Sequence, residues 1–309
     1  MPADATTVER ALESLSSDAL RDSLRPVMQA AVFRGVISYA EAQRLCEQEK
    51  ITMAELMLAV VPAATTYSKP PISKFEVGAV AQGSTTGSLY FGANMEFVGA
   101  ALSFTIHAEQ SAVTNAWING EQGISQLAIS EAPCGYCRQF LWEITTAETM
   151  AVLLTKGSSG PLARFLPEPF GPKDLGVQGA LMSPADHGLA LDSGTPDPVM
   201  LAALAAANAS YAPPQYSASY AGVAVYTEAG EIFAGRHAEN AAFNPSMSPL
   251  ESALVMWNFA THGTDPVRRV VLVQIDGAVA DQTSATAALV ESFARTGPVV
   301  FDVYGAHPA

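Results

Sequence analysis

The chain has 309 residues, about half of them hydrophobic (49%), and a formal net charge of −14 from 30 acidic and 16 basic side chains. That length exceeds what one hydrophobic core usually organises, so two similar units and an accessory piece are expected. The scarcity of Lys and Arg excludes a polynucleotide partner, whose binding rests on clustered cations, and the richest apolar run, residues 53–64, is too short for a membrane span of roughly 20 residues and contains Glu55.

Residues 1–7 carry neither a basic nor an apolar leader segment, and three cysteines (Cys46, Cys134, Cys137) suit a reducing compartment. Together these predict a cytoplasmic address. Segments 7–15, 18–31 and 38–49 are rich in Ala, Leu, Glu and Gln and read as helices broken near Arg34-Gly35, giving an N-terminal helical domain over 1–52. Cys46 falls among them as a small apolar residue. An apolar helix over 53–64 follows, stopped at or soon after Pro62, then a Pro-rich loop at Tyr67-Ser68-Lys69-Pro70-Pro71. Runs 75–82 and 88–91 are β-prone around a Gly- and Thr-rich turn and predict a hairpin.

A helix over 107–118 places His107 and Glu109 in its first turn. A short strand at 127–130 leads to Pro133 and a second helix over 134–145, so two helix N-termini face one point. Free first-turn amides and the positive end of the dipole favour thiolate there. A catalytic zinc needs three protein ligands and one position left open for water. One imidazole (His107) and two thiolates (Cys134, Cys137) meet that count and leave the Glu109 carboxylate for proton transfer. A lone Cys-x-x-Cys also suits a redox pair or half of a structural zinc site. The upstream His-Ala-Glu, the proline before Cys134 and the lack of any further Cys/His cluster favour the catalytic ion; His187, His237, His262 and His307 have no partners at ligand spacing.

Residues 53–158 thus form the candidate zinc domain, and 159–197, with recurrent Pro and Gly, an extended connector. Over 198–309 the sequence repeats itself at an offset of 143: Gly87 to Gly92 resembles Gly230 to Gly235, Glu96 falls on Glu239, and Met57-Leu58-Ala59 on Met200-Leu201-Ala202. The same offset carries His107 to Leu250, Glu109 to Ser252, Cys134 to Gly277 and Cys137 to Ala280. No cysteine follows Cys137, so the second copy cannot hold zinc in the same way and serves structure, assembly or substrate contact.

The ordered set Phe91-Gly92-Ala93-Asn94-Met95-Glu96-Phe97, Ile106-His107-Ala108-Glu109-Gln110, Ala132 to Phe140, Phe170 to Leu175 and Ala238 to Pro245 resembles the cytidine deaminases of the longer, duplicated type. The resemblance covers most of the chain. It implies a three-layer α/β/α cytidine-deaminase-like fold with a mixed sheet, present twice, and hydrolysis of free cytidine and deoxycytidine to uridine and deoxyuridine in pyrimidine salvage. It further implies that His107, Cys134 and Cys137 ligate one zinc per chain and that Glu109 moves protons between water, ring N3 and the departing amine. Asn94 and Glu96 are implied to bind the ribose 3′-hydroxyl, the Ala108 amide the pyrimidine O2, and the Ala132 carbonyl the exocyclic amine. Phe75 is implied to pack on the base, and Phe170 and the Ala242-Phe243 segment to close the pocket, the latter from the neighbouring subunit of a homodimer. A deaminase acting on nucleic acid or another base is disfavoured by charge and by the ribose clamp. A non-catalytic nucleoside- or zinc-binding protein is disfavoured by the intact Glu109.

Overall fold

The structure, a computed structural model, describes residues 5–30, 33–192, 195–293 and 297–309. The first four residues and Ala31, the last residue of the expected second helix, lie outside the described residues, as do 193–194 of the expected connector. Three helices open the chain: α1 (Ala5–Glu13), α2 (Asp18–Met28) and α3 (Tyr39–Glu49). Ser17 and Ser38 cap α2 and α3 by accepting a bond from the amide three residues on, the usual way a helix start satisfies its orphan donors. A two-residue strand, β1 (Val36–Ile37), lies between them and pairs antiparallel with Leu89-Tyr90. Sequence periodicity could not show a strand this short.

Helix α4 (Met53–Thr65) begins in a Thr52/Glu55 capping box and runs three residues past Pro62, which sits inside it. The first sheet then assembles in the order β1-β3-β2-β4-β5-β6 from β2 (Gly78–Gly83), β3 (Leu89–Ala93), β4 (Ile124–Ile129), β5 (Ala151–Leu154) and β6 (Gly160–Pro161). Strand β2 is antiparallel to both neighbours while β4 and β5 are parallel, so the sheet is mixed. Two helices interrupt it, α5 (Ala108–Ile118) after β3 and α6 (Gly135–Leu141) after β4; the short α7 (Leu162–Phe165) follows β6. The expected hairpin is present, but its first strand starts at Gly78, which leaves Phe75 in the preceding loop. The second predicted helix is shorter than expected, 135–141 in place of 134–145.

Glycines report how the layers stack. A Cβ on Gly78 would overlap the backbone of Thr65 in α4, and one on Gly92 would overlap the carbonyl of Ala108 and the amide of Ala112 in α5. Ala79 pairs with Gly92; neighbouring residues of a strand point to opposite faces, so α4 and α5 cover opposite sides of the sheet. The result is an α/β/α sandwich.

The same construction recurs in α8 (Pro198–Asn208), β8 (Ala221–Thr227), β9 (Ile232–Arg236), α9 (Pro249–Thr261), β10 (Val267–Ile275), α10 (Thr283–Phe293) and β11 (Val300–Pro308). With β7 (Leu189–Ala190) the second sheet orders β7-β11-β10-β8-β9, again with one parallel pair, β10 and β11. Gly222 lies against Ala203 and Ala207 of α8, and Gly235 against Pro249 and Ala253 of α9. Strand β9 therefore repeats β3 at the offset of 143. Past it the loop is two residues shorter, because the bridge Met95↔Ile106 recurs as Ala238↔Met247. The counterpart of His107 is consequently Ser248, the cap of α9, and that of Glu109 is Leu250. This corrects the ungapped assignment of Leu250 and Ser252.

The larger of two hydrophobic cores runs through both units, with Val113, Ala116, Met247, Leu250 and Leu254 among its members, and a smaller one lies between α8 and the second sheet, with Met200, Ala203, Val271 and Val273. Across the junction Thr114 Oγ1 donates to Met247 Sδ (3.1 Å), Asn258 Nδ2 to the Tyr67 carbonyl (2.9 Å), and Arg236 lies over the Trp117 ring at 5.1 Å. Among the described residues no helix is long and apolar enough to cross a membrane.

Because α5 touches β3 backbone to backbone at Gly92, Gly92→Ala is expected to cost about 3 kcal/mol of unfolding free energy or more, the range for overpacking where neither neighbour can retreat. Gly135→Ala, whose Cβ meets nothing within 4 Å, serves as the neutral comparison in the same urea titration.

Candidate metal centre

Helix α5 meets the sheet closely enough to place its first turn against the C-terminal end of β3, an interior strand, and His107 is its cap, one residue before the helix begins. The Gln110 side chain accepts from the His107 amide (3.1 Å) and fixes the entry of the chain. Cys134 is likewise the cap of α6, its Sγ accepting from the Cys137 amide at 3.4 Å. Two helix starts therefore converge. His107 Nδ1 lies 3.7 Å from Cys134 Sγ and 3.2 Å from Cys137 Sγ, and the two sulfurs are 3.4 Å apart.

That triangle fits a tetrahedral zinc: with Zn–S bonds near 2.3 Å and Zn–N near 2.0–2.1 Å, ligand atoms should stand about 3.5–3.8 Å apart. Among the described residues these three form the one group of His, Cys or acidic side chains close enough to share an ion. Contact with Cys137 and His107 pulls the Cys134 thiol down to about 3 although burial opposes it. His107 is raised by its contact with Cys134. Cys137, by contrast, is pushed up by Cys134, by burial and by Glu109. A bound dication would take the place of the protons that the trio otherwise shares.

Glu109 is buried in the first turn of α5, close enough to Cys137 for a thiol contact, and burial raises its carboxyl above the ordinary range. A carboxyl in such surroundings is suited to both taking and giving a proton near neutrality. The Ala108 amide belongs to the first helical turn, where N–H groups have no partner within the helix. Ala132 is exposed just before Pro133.

Asn94 is buried and employed: its Oδ1 accepts from the Val77 amide (2.8 Å) and from the Ser68 hydroxyl, and its Nδ2 donates to the Phe75 carbonyl (2.9 Å). Glu96 accepts from the amides of Ile72 and Ser73 (both 2.8 Å) and from the Ser73 hydroxyl (2.5 Å). Burial opposes its ionisation, yet these donors hold it below the usual carboxylate range. Both side chains thus order the 68–77 loop, which offers Phe75 to solvent at 58% exposure.

Phe170 is exposed and its carbonyl accepts from Gln139 Nε2 (2.8 Å). The turn bearing Ala242 and Phe243 docks on α6 of the same chain: Tyr136 OH donates to the Asn244 carbonyl (2.9 Å), and Asn240 Nδ2 to the Gln139 carbonyl (3.1 Å). Tyr136 also stacks on His107, ring centroids 5.3 Å apart. Sequence reasoning assigned no role to Tyr136, Gln110 or Gln139. The first lies between the two cysteines and the second one residue past Glu109, which was the available signal; Gln139 acquires its place only from tertiary contacts.

Two models described as the cytidine and deoxycytidylate deaminase zinc-binding region match residues 22–153 and 162–287. The second match contains no cysteine. The cytidine deaminase of Aliivibrio fischeri is 48% identical over 267 residues, 86% of this chain and 88% of that one. That of Photobacterium profundum is 43% identical over 291 residues, 94% of this chain and 97% of that one. The crystal structure of cytidine deaminase from Mycobacterium tuberculosis covers 38% of this chain and 96% of its own, with 26% identity and a TM-score of 0.34.

Purified protein is expected to carry one zinc per chain by elemental analysis. Cys137→Ser should lower zinc occupancy below about one tenth at equal protein concentration, since loss of a thiolate removes one of only three protein ligands; full occupancy in that variant would remove Cys137 from the ligand set.

Proposed function

The chain belongs to the cytidine deaminase family, and from that footing we propose how its residues divide the work of the reaction. It is a zinc-dependent hydrolase that converts cytidine and deoxycytidine to uridine and deoxyuridine with release of ammonia. The observation that carries the assignment of roles is the buried Glu109 carboxyl set against the triangle of His107, Cys134 and Cys137.

His107, Cys134 and Cys137 would hold the ion. When bound, zinc supplies Lewis acidity that lowers the pKa of a coordinated water towards about 7. Glu109 takes a proton from the attacking water and gives it to ring N3, then takes the remaining proton of the new C4 hydroxyl and gives it to the departing amine, so that the C4 carbonyl forms as the C–N bond breaks and ammonia leaves. Cytosine C4 is a weak electrophile, so protonation at N3 must accompany attack, and a carboxyl raised by burial is suited to both transfers. The Ala108 amide is assigned to the pyrimidine O2 and the Ala132 carbonyl to the exocyclic amine, so that a carbonyl in place of that amine loses a hydrogen bond. Asn94 and Glu96 are assigned to the ribose 3′-hydroxyl. Their existing bonds leave one Asn94 N–H and further Glu96 lone pairs for it, and the same residues hold the loop that carries Phe75 to the base.

We assign the active form to a homodimer. Phe243 is 63% exposed and held at φ +59°, a conformation rare outside glycine, and Ile72, Phe75 and Phe170 are exposed large apolar side chains as well, which a second copy would cover. Phe243 and Ala242 then close the neighbouring pocket, and Phe170 lines it. A reducing, cytoplasmic setting suits two thiols that must stay free to bind metal, and salvage of free pyrimidine nucleosides suits a substrate without phosphate.

Mixing the enzyme with cytidine should abolish the cytosine ultraviolet band with equimolar ammonia release; zinc-loaded protein that leaves cytidine unreacted would overturn the assignment. Glu109→Gln should retain its zinc and lose about 10²–10⁴ in kcat, the usual contribution of general acid–base catalysis. Sedimentation equilibrium should return twice the chain mass, and a monomer of full activity would contradict the shared pocket.

A further inference from the structure

Glu143 follows α6 by two residues and is wholly buried. Its carboxylate reaches out of the zinc-bearing unit into the zinc-free one. Oε1 accepts from the hydroxyls of Tyr211 and Tyr216, both at 2.7 Å, and Oε2 accepts from the Ala241 amide at 2.9 Å. Burial pushes this carboxyl up, and the three donors pull it back. A buried carboxylate without a cation is retained only where donors satisfy it.

The receiving corner is the second copy's counterpart of the Asn94/Glu96 corner. The bridge Lys69↔Met95 recurs as Tyr211↔Ala238, so Tyr211 stands in the place of Lys69. Ser217 stands in the place of Ser73: each serine donates to the glutamate of its copy, Glu239 or Glu96, and accepts the amide two residues on. Tyr216 precedes Ser217 directly. In the first copy this corner orders a loop around a site, whereas in the second it closes on a side chain of the first.

The Ala241 amide immediately precedes Ala242 and Phe243, and the rest of that turn is held by Asn240. Its Oδ1 accepts from the Ala242 amide (3.0 Å) and its carbonyl from the Phe243 amide (2.8 Å). Asn240 itself is gripped by Gln139, two residues beyond Cys137. The strained Phe243 backbone therefore hangs between two anchors on or just after α6, one through Asn240 and one through Glu143.

We propose that Glu143 is a positioning residue for the deamination: seated in the zinc-free copy's former ribose corner, it fixes the Ala242-Phe243 turn and through it the closure of the substrate pocket. This rests on the reading that Phe243 closes a pocket. Glu143 touches neither substrate nor metal, and its effect falls on substrate binding.

The test is a kinetic cycle on full-length, zinc-replete protein with Glu143→Gln, Phe243→Ala and the double variant. In Glu143→Gln an NH2 group would confront either the Ala241 amide or the two tyrosine hydroxyls, leaving donors unmatched. KM for cytidine should rise about tenfold, with kcat within about twofold and zinc content unchanged, as expected for loss of a buried hydrogen bond that acts on binding. In the Phe243→Ala background the same change should add little, because both act through one contact. Should Glu143→Gln fail to fold, Tyr216→Phe removes one donor, keeps the carboxylate and is read by the same criteria. An unchanged KM in folded Glu143→Gln, KM effects that multiply in the double variant, or a fall in kcat that merely tracks lost zinc would each overturn the proposal. If Phe243→Ala raises KM and Glu143→Gln does not, only the role of Glu143 falls. If Phe243→Ala itself leaves KM unchanged, the reading of the pocket falls and this inference with it.

Discussion

The contact on which the molecule depends is the one between α5 and β3, where the chain allows no side chain at Gly92 and the helix lies backbone against backbone on the sheet. That approach sets where α5 begins. It puts His107 at the cap and Glu109 in the first turn, beside the point where β4 delivers Pro133 and the two cysteines. The ligand triangle is thus a consequence of layer spacing: a helix held a side chain's thickness further out would carry His107 away from both sulfurs.

The same contact is built again at Gly235 and α9, and there it brings Ser248 and Leu250 to the equivalent positions. The second copy keeps the scaffold and lacks the chemistry. What it retains in the corresponding places is capping: Ser248 with Glu251 in α9 mirrors His107 with Gln110 in α5. Glu251 is buried, which pushes its carboxyl up to about 7, and it faces His107 across the packed helices. The second copy repeats the scaffold and packs against the first through a shared core.

A chain with so few cations satisfies its buried carboxylates by other means. Glu121 accepts from the Thr85 and Thr86 amides, from the Thr86 hydroxyl and from Tyr90 OH, and so ties down the β2–β3 turn. Glu143 uses two tyrosines and an amide, and Glu96 two amides and a serine. Glu121 and Glu143, which are buried, take no hydrogen bond from a Lys or Arg, whereas the half-exposed Glu96 is also held down by the charge of Lys74. Hydroxyl and amide donors are uncharged and placed by the fold, so each carboxylate orders a specific loop with little dependence on salt.

The sequence alone determined the chemistry and the duplication. Ligand types and spacing are local: His107-Ala108-Glu109 and Pro133 to Cys137 each span a few residues, and a zinc site is defined by which donor atoms are present. Capping residues and apolar periodicity likewise made the helices and the hairpin legible, with starts off by one residue at His107 and Cys134, where the cap stands outside the helix it starts, and the end of α6 four residues earlier than expected. Only the tertiary structure decided that β1 joins the sheet, that Phe75 lies in a loop ordered by Asn94 and Glu96, that Ser248 stands opposite His107, and that Glu143 binds Ala241 from 98 residues away. Those facts depend on how long a loop is and on which backbone amides two packed layers leave facing each other. No periodicity along the chain encodes either.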